Sequence, residues 1–212
     1  DDRMYLKVVN PRLQSEVVPG DIVQAGIMIS NSETGLGAVN IQPLIYRLVC
    51  SNGMVVNEAG TRRAHIGRVN TTDVNFALYS QQTLDAEDRA FVLKIQDTVR
   101  AAVDEARFST VLDRMRESKQ AQLNTQDLPG LVKLAGSSFG ILEEEGKGVL
   151  QYLIEDGDFT LYGLANAVTR FSQDVESYDR ATKLEEIGYS VMTMSPLLFQ
   201  KINQTQVTKL AA

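Results

Sequence analysis

The sequence is poor in the residues that build metal sites, disulfide frameworks and membrane spans. One cysteine and one histidine occur in 212 residues. An internal disulfide is therefore impossible, and a Cys/His zinc site, which needs about four such ligands, is not expected. No apolar run approaches the roughly 18–20 residues of a membrane span, and no basic segment followed by an apolar one opens the chain. We therefore expect a cytoplasmic protein without metal or cofactor.

Positive charge is also scarce. The net charge is −6, which argues against a large polyanion-binding surface. Residues 1–70 carry seven lysines and arginines against six acids, whereas residues 71–212 carry fourteen against twenty-one. Any binding of nucleic acid is therefore expected to be local and to involve the first third of the chain.

What the chain does contain is the composition of a folded globular protein. It has 43% hydrophobic and 23% charged residues, so a packed core is expected. The last four residues, 209–212, resemble the vector-derived residues that precede a C-terminal histidine tag, and we expect the native protein to be longer. We predict a single α+β domain over residues 1–208.

The first third of the chain, about residues 3–70, has the patterns of β-strands. Met4, Leu6 and Val8 alternate with their neighbours in a strand that Asn10–Pro11 is expected to close. Pro43 cannot donate a ladder hydrogen bond, so its strand is expected to be bulged or at an edge. Further strands are predicted at residues 22–30, 39–50, 54–56 and 61–69.

Helical patterns follow, over about residues 83–195. Apolar residues spaced by three and four predict one helix from Leu84 to about Lys119, which could kink near Ser109–Thr110. Shorter helices are predicted within residues 127–134, 141–156, 161–173 and 178–194, and Ser195–Pro196 is expected to end the last one. Strands followed by helices predict an α+β fold, in which an antiparallel sheet from the N-terminal third is packed on one side by helices from the C-terminal two-thirds.

The densest basic segment is TRRAHIGR, residues 61–68. On a strand, Arg62 and Arg68 share one face, while Arg63 and His65 share the other. Guanidinium groups suit phosphate oxygens, and aromatic rings suit stacked bases. The sequence therefore predicts a site for single-stranded nucleic acid. The alternative is that these arginines form surface ion pairs with the acidic helices. The predicted site comprises Arg47, Arg62, Arg63, Arg68, Tyr46 and His65.

Other stretches favour structural roles. Residues 31–37, which contain Gly35 and Gly37, match no phosphate-binding fingerprint and predict a hairpin turn. Cys50 would share a strand face with Tyr46 and Leu48, which favours an inert core thiol. Glu143–Glu145 predict a solvated helix start, and Asp156–Gly157–Asp158, which lacks the remaining EF-hand positions, predicts an exposed loop. No catalytic residue and no metal ligand is therefore assigned.

The segment LYGLANAVTRF, residues 161–171, predicts a helix with one apolar face. That face is expected to pack in the core or in an oligomer. Asn166, Thr169 and Arg170 lie off the apolar stripe and are expected to be polar contacts to a partner.

Several of these motifs occur together in one known group of proteins. They are Asn31–Ser32–Glu33 with Gly35, Arg47, Cys50, Asn52–Gly53, His65 and the later LYGLANAVTRFSQ. Over roughly residues 15–195 the chain resembles the phage/plasmid-like proteins grouped as domain of unknown function 932. The resemblance implies a setting in mobile genetic elements but no agreed activity. The layout is also similar to that of single-strand annealing proteins, which assemble into rings and hold DNA in a basic groove.

Three functions remain open from the sequence. The leading hypothesis is a non-enzymatic, self-associating protein that binds single-stranded DNA in recombination or replication. The main alternative is a structural or interaction protein that binds host or phage proteins without nucleic acid. A metal-dependent enzyme is the third, although the spacing of the acids does not favour it.

Overall fold

The structure, a computed structural model, describes residues 3–32, 38–56, 61–64, 79–124 and 126–204; of residues 61–64 it describes the backbone. Strands come first and helices follow, as predicted. The strands are β1 (Arg3–Glu16), β2 (Ile22–Ser32), β3 (Ala38–Arg47), β4 (Asn52–Val55) and β5 (Thr61–Ala64). The helices are α1 (Gln81–Ala102), α2 (Glu105–Gln120), α3 (Leu128–Phe139), α4 (Glu143–Asp156), α5 (Leu161–Phe171), α6 (Tyr178–Met192) and α7 (Pro196–Asn203).

The antiparallel sheet divides along β3. Its order is β1-β2-β3-β4, and β5 also pairs with β3. β4 pairs with the end of β3 from Leu44 to Arg47, whereas β5 pairs with the other end, from Ala38 to Ile41. Pro43 lies between these two partner segments. β3 is a central strand, but no described strand pairs with Pro43 on the edge that β4 and β5 share. The proline is tolerated because its missing N–H removes no hydrogen bond to a described strand there.

The first strand is longer than predicted. Asn10–Pro11 does not close β1, which continues to Glu16. The register with β2 instead shifts between Asn10 and Gln14. Such an irregularity leaves residues without ladder partners, so a proline can be accommodated there. The expected strand end is therefore a break in register.

Helices cover both faces of the sheet, which corrects the prediction that they lie on one side. Lys7, Met28 and Gln42 are successive partners across β1, β2 and β3, so they share one face. All three contact α6, where Thr182 Oγ1 lies 3.7 Å from Met28 Sδ and Gln42 Nε2 lies 3.1 Å from Glu186 Oε1. The opposite face supplies buried residues to the main core, with apolar side chains of the helices. Those residues are Val23, Ala25 and Ile45.

The long helix predicted from residue 84 is two helices. α1 ends at Ala102 and α2 begins at Glu105, four residues before Ser109, where the kink was expected. The Asp104 carboxylate accepts a hydrogen bond from the backbone N–H of Arg107 at 2.9 Å. A side chain that caps a helix in this way favours a new start, so capping overrode the continuous apolar spacing.

Two other helix boundaries differ from expectation. α4 is helical from Glu143 even though it contains Gly146 and Gly148, because acidic side chains stabilise its first turn. Pro196 follows the end of α6, as expected, and also lies in the first turn of α7. A missing N–H costs no hydrogen bond there, because first-turn N–H groups have no partner within the helix. No helix in the described part of the chain is long and apolar enough to cross a membrane.

Helix α5 is central to the core. Every residue from Leu161 to Thr169 is buried, whereas the sequence predicted a single buried face. Asn166 and Thr169 are therefore not exposed partner contacts. The Asn166 amide donates to the Tyr162 carbonyl at 2.9 Å, and Thr169 Oγ1 donates to the Asn166 carbonyl at 3.1 Å. Arg170 pairs with Asp156. Because helices and strand β4 surround α5, its polar residues satisfy one another internally.

Candidate functional site

Arg47, the first predicted site residue, ends β3 and pairs with a buried carboxylate. Asp21 precedes β2, and only 6% of its surface is exposed. The Arg47 guanidinium donates Nε to Asp21 Oδ1 at 2.6 Å and Nη2 to Oδ2 at 3.0 Å. Such two-point contacts are among the strongest charge-assisted hydrogen bonds. A phosphate would have to displace Asp21, so binding by Arg47 remains a prediction that this ion pair opposes.

Helix α5 completes this network. Tyr162 is fully buried, and its hydroxyl donates to Asp21 Oδ2 at 2.9 Å. Its ring centroid lies 5.7 Å from the Arg47 guanidinium and 5.7 Å from the Lys119 ammonium. Burial raises the pKa of Tyr162, and the Asp21 charge adds to that effect. Burial on its own lowers the pKa of Arg47, but the hydrogen bond with Asp21 and the electrostatic interactions with Tyr162, Asp21 and Cys50 together raise it, so the guanidinium stays charged.

The turn after β3 places Cys50 differently from the sequence prediction. β3 ends at Arg47, and residues 48–51 form a turn in which Leu48 is exposed. The strand alternation stops there, so Cys50 shares no strand face with Tyr46 and is not a core thiol. Its side chain is half-buried, and Arg47 Nη1 lies 3.3 Å from its Sγ. The Cys50 carbonyl accepts a hydrogen bond from the Gln173 amide at 3.0 Å.

Asn52 and Gly53 open β4 and are tightly packed. The buried Asn52 amide donates to Thr169 Oγ1 of α5 at 2.5 Å. A side chain at Gly53 would bring its Cβ within 2.9 Å of Leu44 Cδ1 and 3.4 Å of Glu185 Oε1. Gly53 is therefore favoured by close packing and not by a turn. Together with the contacts of Arg47, these packing interactions fasten the β3–β4 hairpin to helices α5 and α6.

The structure does not bring all the predicted nucleic-acid residues together. Arg62 lies opposite Asn40 in the pairing of β5 with β3, seven positions from Arg47. At about 3.3 Å per residue, roughly 23 Å of strand separates these two positions. Tyr46 is half-buried between Gln24 and Gly53 of the neighbouring strands. Arg63 lies beside Arg62 in β5, whereas His65 and Arg68 lie outside the described residues.

Arg62 and Arg63 belong to the end of the sheet that is remote from Arg47. Tyr5, Ser30, Asn40 and Arg62 are successive partners across β1, β2, β3 and β5. The next row is Leu6, Ile29, Ile41 and Thr61. We call the end of the sheet that contains these two rows the outer sheet end. It connects the predicted basic segment to the edge strand β1.

An apolar stripe on β1 is the most exposed feature of the outer sheet end. Met4, Leu6 and Val8 are 47%, 47% and 45% exposed. They point to the same face because strand side chains alternate. β1 pairs with β2 only, so its outer edge has no strand partner in the described part of the chain. The stripe therefore lies beside a row of backbone groups that could extend the sheet.

The opposite face of β1 is fixed to α6. The Tyr5 and Tyr178 rings stack with centroids 5.8 Å apart, and the Arg3 guanidinium lies 2.6 Å from Asp179. Lys7 pairs with Glu185, a buried carboxylate of α6. Burial raises the pKa of Glu185, and the Lys7 ammonium partly offsets that effect. The two cations in the first half of β1 are thus neutralised by this helix.

Ion pairing of cations is general in the described part of the chain. Eleven lysines and arginines lie within 4.0 Å of a carboxylate there: Arg3, Lys7, Arg47, Arg100, Arg116, Lys119, Lys133, Lys147, Arg170, Arg180 and Lys183. Glu145 of the acidic run is one such partner, and its hydrogen bonds with Arg180 lower its pKa. Asp156 and Asp158 likewise pair with Arg170 and Lys119. Among the described residues, no group of three or more potential ligands could hold a metal ion.

Sequence reasoning found the strand that carries the stripe but not its exposure. The alternation of Met4, Leu6 and Val8 is visible in the sequence, and alternation alone predicts that this face is the buried one. The signal that could have corrected this is the charged and aromatic character of Arg3, Tyr5 and Lys7, which suits partners on an acidic helix.

Comparison with known proteins places the chain in a family. The family described as "Domain of unknown function (DUF932)" matches residues 1–196. No curated protein and no solved structure matches the chain. The matched range includes the β3–β4 hairpin with its anchors and every helix up to α6. The chain therefore belongs to the DUF932 family.

Proposed function

We propose that this protein is a non-enzymatic, self-associating protein of a mobile genetic element that binds single-stranded DNA across the outer sheet end. The observation that carries the proposal is the exposed apolar stripe on an edge strand, whose Leu6 lies in the same sheet row as Thr61 of β5. Self-association joins two edges, and DNA binding uses the arginines of β5. Each part can be tested separately.

The first part of the β1 edge, from Arg3 to Asn10, lacks the usual protection against pairing with another chain. Soluble proteins commonly place an exposed lysine, a proline or a bulge on an edge strand. Here Arg3 and Lys7 are both in ion pairs with α6, and the register shift lies beyond Asn10. The segment from Arg3 to Asn10 is therefore a regular edge of about 26 Å at about 3.3 Å per residue.

The occupant that suits this edge is β1 of a second copy. In an antiparallel pairing centred on Leu6, Met4 of one copy would face Val8 of the other, so the two stripes would join on one face. Tyr5 of one copy would face Lys7 of the other, which avoids placing two lysines opposite each other. Joining the stripes removes apolar surface from water on both copies.

The basic segment supports the nucleic-acid part of the proposal. β5 pairs with β3 in the same rows that contain Tyr5 and Leu6 of β1. If two copies joined through β1, their sheets would become one sheet, which would contain both β5 strands. Arginines repeated across an extended sheet suit a phosphate backbone, and aromatic side chains nearby suit unpaired bases. The basic segment is also where the first third of this acidic chain concentrates its positive charge.

DNA binding is tested by fluorescence anisotropy of a labelled oligothymidine at two salt concentrations. We expect affinity to fall steeply with salt, because neutralised phosphates release counterions. The double variant Arg62→Ala/Arg63→Ala should weaken binding and reduce the salt slope by about 2. Arg89→Ala removes an exposed arginine of α1 and serves as the control. Equal affinity of wild type and double variant would refute the assignment to β5.

Self-association is tested by sedimentation velocity over a range of protein concentrations. Leu6→Lys should shift the equilibrium strongly towards monomer, because a lysine without an acidic partner opposes edge pairing. Leu197→Lys, at an 80% exposed position of α7, is the matched control and should leave the equilibrium unchanged. A wild-type protein that stays monomeric, or an L6K variant that associates like wild type, would refute this part.

The alternative function is an interaction protein that does not bind nucleic acid. The observation that favours it is the extensive ion pairing of the described cations, which leaves few positive charges for phosphates. It predicts a stable oligomer, with no oligothymidine binding even at low salt. The two experiments together therefore distinguish it from the main proposal.

A further inference from the structure

An open cleft of about 220 Å³ lies at the corner between α1 and α2, away from the outer sheet end. Its sheet side is formed by Pro43 and Ile45, and its helix side includes Phe108 and Val111. This is the volume of roughly seven waters at about 30 Å³ each. Such a cleft is large enough for a small organic molecule but not for a helix or a strand.

Two charged residues stand among the described residues that line this cleft, and both are arginines of α2, Arg107 and Arg114. They are seven residues apart, two helical turns, and so lie on one face with Val111 between them. The Arg114 guanidinium donates to the hydroxyl of Tyr189 at 2.8 Å. Tyr189 is buried and also lines the cleft. None of the described residues that line the cleft carries a carboxylate.

Arg107 is an exception to the ion pairing of this protein. Its side chain has no carboxylate within ion-pair distance among the described residues. The nearby Asp104 carboxylate is engaged as the helix cap, where it accepts from the Arg107 backbone N–H. A guanidinium beside apolar walls, with no partner of opposite charge, is suited to the anionic end of a ligand whose body is apolar.

We propose that this cleft binds a small organic anion, with a phosphate or carboxylate held by Arg107 and a flat or short apolar body against Pro43, Ile45 and Phe108. The ring or chain of the ligand displaces water from the apolar walls. The Arg107 guanidinium orients the anion at one end. This site is independent of the proposed self-association and DNA binding, since none of its residues belongs to the outer sheet end.

The test is isothermal titration calorimetry with four probes: phenyl phosphate, benzoate, benzyl alcohol and inorganic phosphate. We expect saturable binding of phenyl phosphate or benzoate, at least tenfold tighter than that of benzyl alcohol or inorganic phosphate. Tighter phenyl phosphate than benzoate would identify the ligands as organic phosphates, and the reverse order would identify them as carboxylates. Absence of saturable binding by both aromatic anions, or equal binding of all four probes, would overturn the proposal.

Variants locate the binding in the cleft. Arg107→Gln should weaken the favoured aromatic anion at least tenfold, whereas Arg89→Gln, which removes the same charge from an exposed position on α1, should leave its affinity unchanged. Val111→Phe fills the cleft and should abolish binding; circular dichroism and the unfolding midpoint establish whether this variant is folded. If Arg107→Gln binds like wild type, or Arg89→Gln is equally weakened, the anion is not held in this cleft.

Discussion

The buried pair of Asp21 and Arg47 provides the sharpest test of whether Arg47 is structural. Asp21→Asn keeps the shape of the side chain but removes its charge, and leaves a guanidinium that is only 17% exposed without its partner. Removing one member of a buried ion pair costs about 3–5 kcal/mol. Since Arg47 keeps some contact with water, we expect a loss of about 3 kcal/mol in the free energy of unfolding.

A double-mutant cycle separates the pair from its surroundings. Arg47→Met alone leaves the Asp21 carboxylate buried with only the Tyr162 hydroxyl as a described side-chain donor, so it too should be strongly destabilising. In the double variant Asp21→Asn/Arg47→Met neither charge remains, so its loss should be smaller than the sum of the single losses by about 1–3 kcal/mol. Urea unfolding followed by circular dichroism measures all four proteins.

The control is an ion pair in contact with water. Asp97 and Arg100 of α1 are 3.3 Å apart, with both side chains 74% exposed. Asp97→Asn should change stability by no more than about 0.5 kcal/mol. If Asp21→Asn were as mild as this control, or if the losses at Asp21 and Arg47 simply added, the buried pair would not fasten the hairpin. Arg47 would then be free to bind phosphate.

Two further predictions concern single substitutions. Burial raises the pKa of Glu185 above its ordinary value of 4.5. The native state therefore binds this proton more tightly than the unfolded state does. The free energy of unfolding falls as the pH rises from 4.5 through the pKa of Glu185 in the native state. Glu185→Gln should therefore gain stability relative to wild type over that interval in urea unfolding; a gap that narrows with rising pH would contradict this reasoning. Gly163→Ala would place a Cβ 1.8 Å from the Asp158 carbonyl oxygen and should lower the thermal midpoint, despite the better helix propensity of alanine. Gly146→Ala, whose Cβ would meet only Val132 at 3.9 Å, should raise the midpoint, and equal responses of the two variants would contradict the steric explanation.

Local sequence signals located several elements well. The helix predicted within residues 161–173 is α5, and the Thr160 hydroxyl caps it by accepting from the Gly163 N–H at 3.0 Å. The helix predicted within residues 127–134 is α3, and the Asp127 carboxylate caps it through the Gly130 N–H at 2.9 Å. Such signals act between residues three apart, so they can be read without knowledge of the fold.

Signals of apolar spacing were less reliable at boundaries. They joined α1 and α2 into one helix because the stripe continues in three- and four-residue steps across the break. The break itself depends on one capping side chain, Asp104. In β1 the predicted element was too short: Pro11 was expected to end the strand, but pairing with β2 resumes at Gln14. Pairing with a neighbouring strand can extend β1 beyond a residue whose local propensity predicts a strand end.

The candidate surfaces depended on long-range contacts even more strongly. The sequence grouped Arg47 with Arg62 and Arg63 because they are close along the chain. In the structure β4 pairs with one end of β3 and β5 with the other, so Arg47 lies at one end of β3 while Arg62 and Arg63 pair with the opposite end. The partner of Arg47, Asp21, comes from a different strand connection, twenty-six residues earlier. No short-range pattern joins these two positions.

The sequence by itself determined the class of the fold, because strand alternation, helix spacing and capping are properties of neighbouring residues. It also determined the family, through motifs that the structure shows fastening a hairpin to α5. Only the tertiary structure decided which apolar face is buried and which cations remain available. Met4, Leu6 and Val8 stay in contact with water because α6 packs on the other face of β1, and the core that buries Val23, Ala25 and Ile45 on their own face does not bury β1. Arg107 lacks the acidic partner that most described cations have. These outcomes depend on which distant elements pack together, and burial and charge pairing are settled only by that packing.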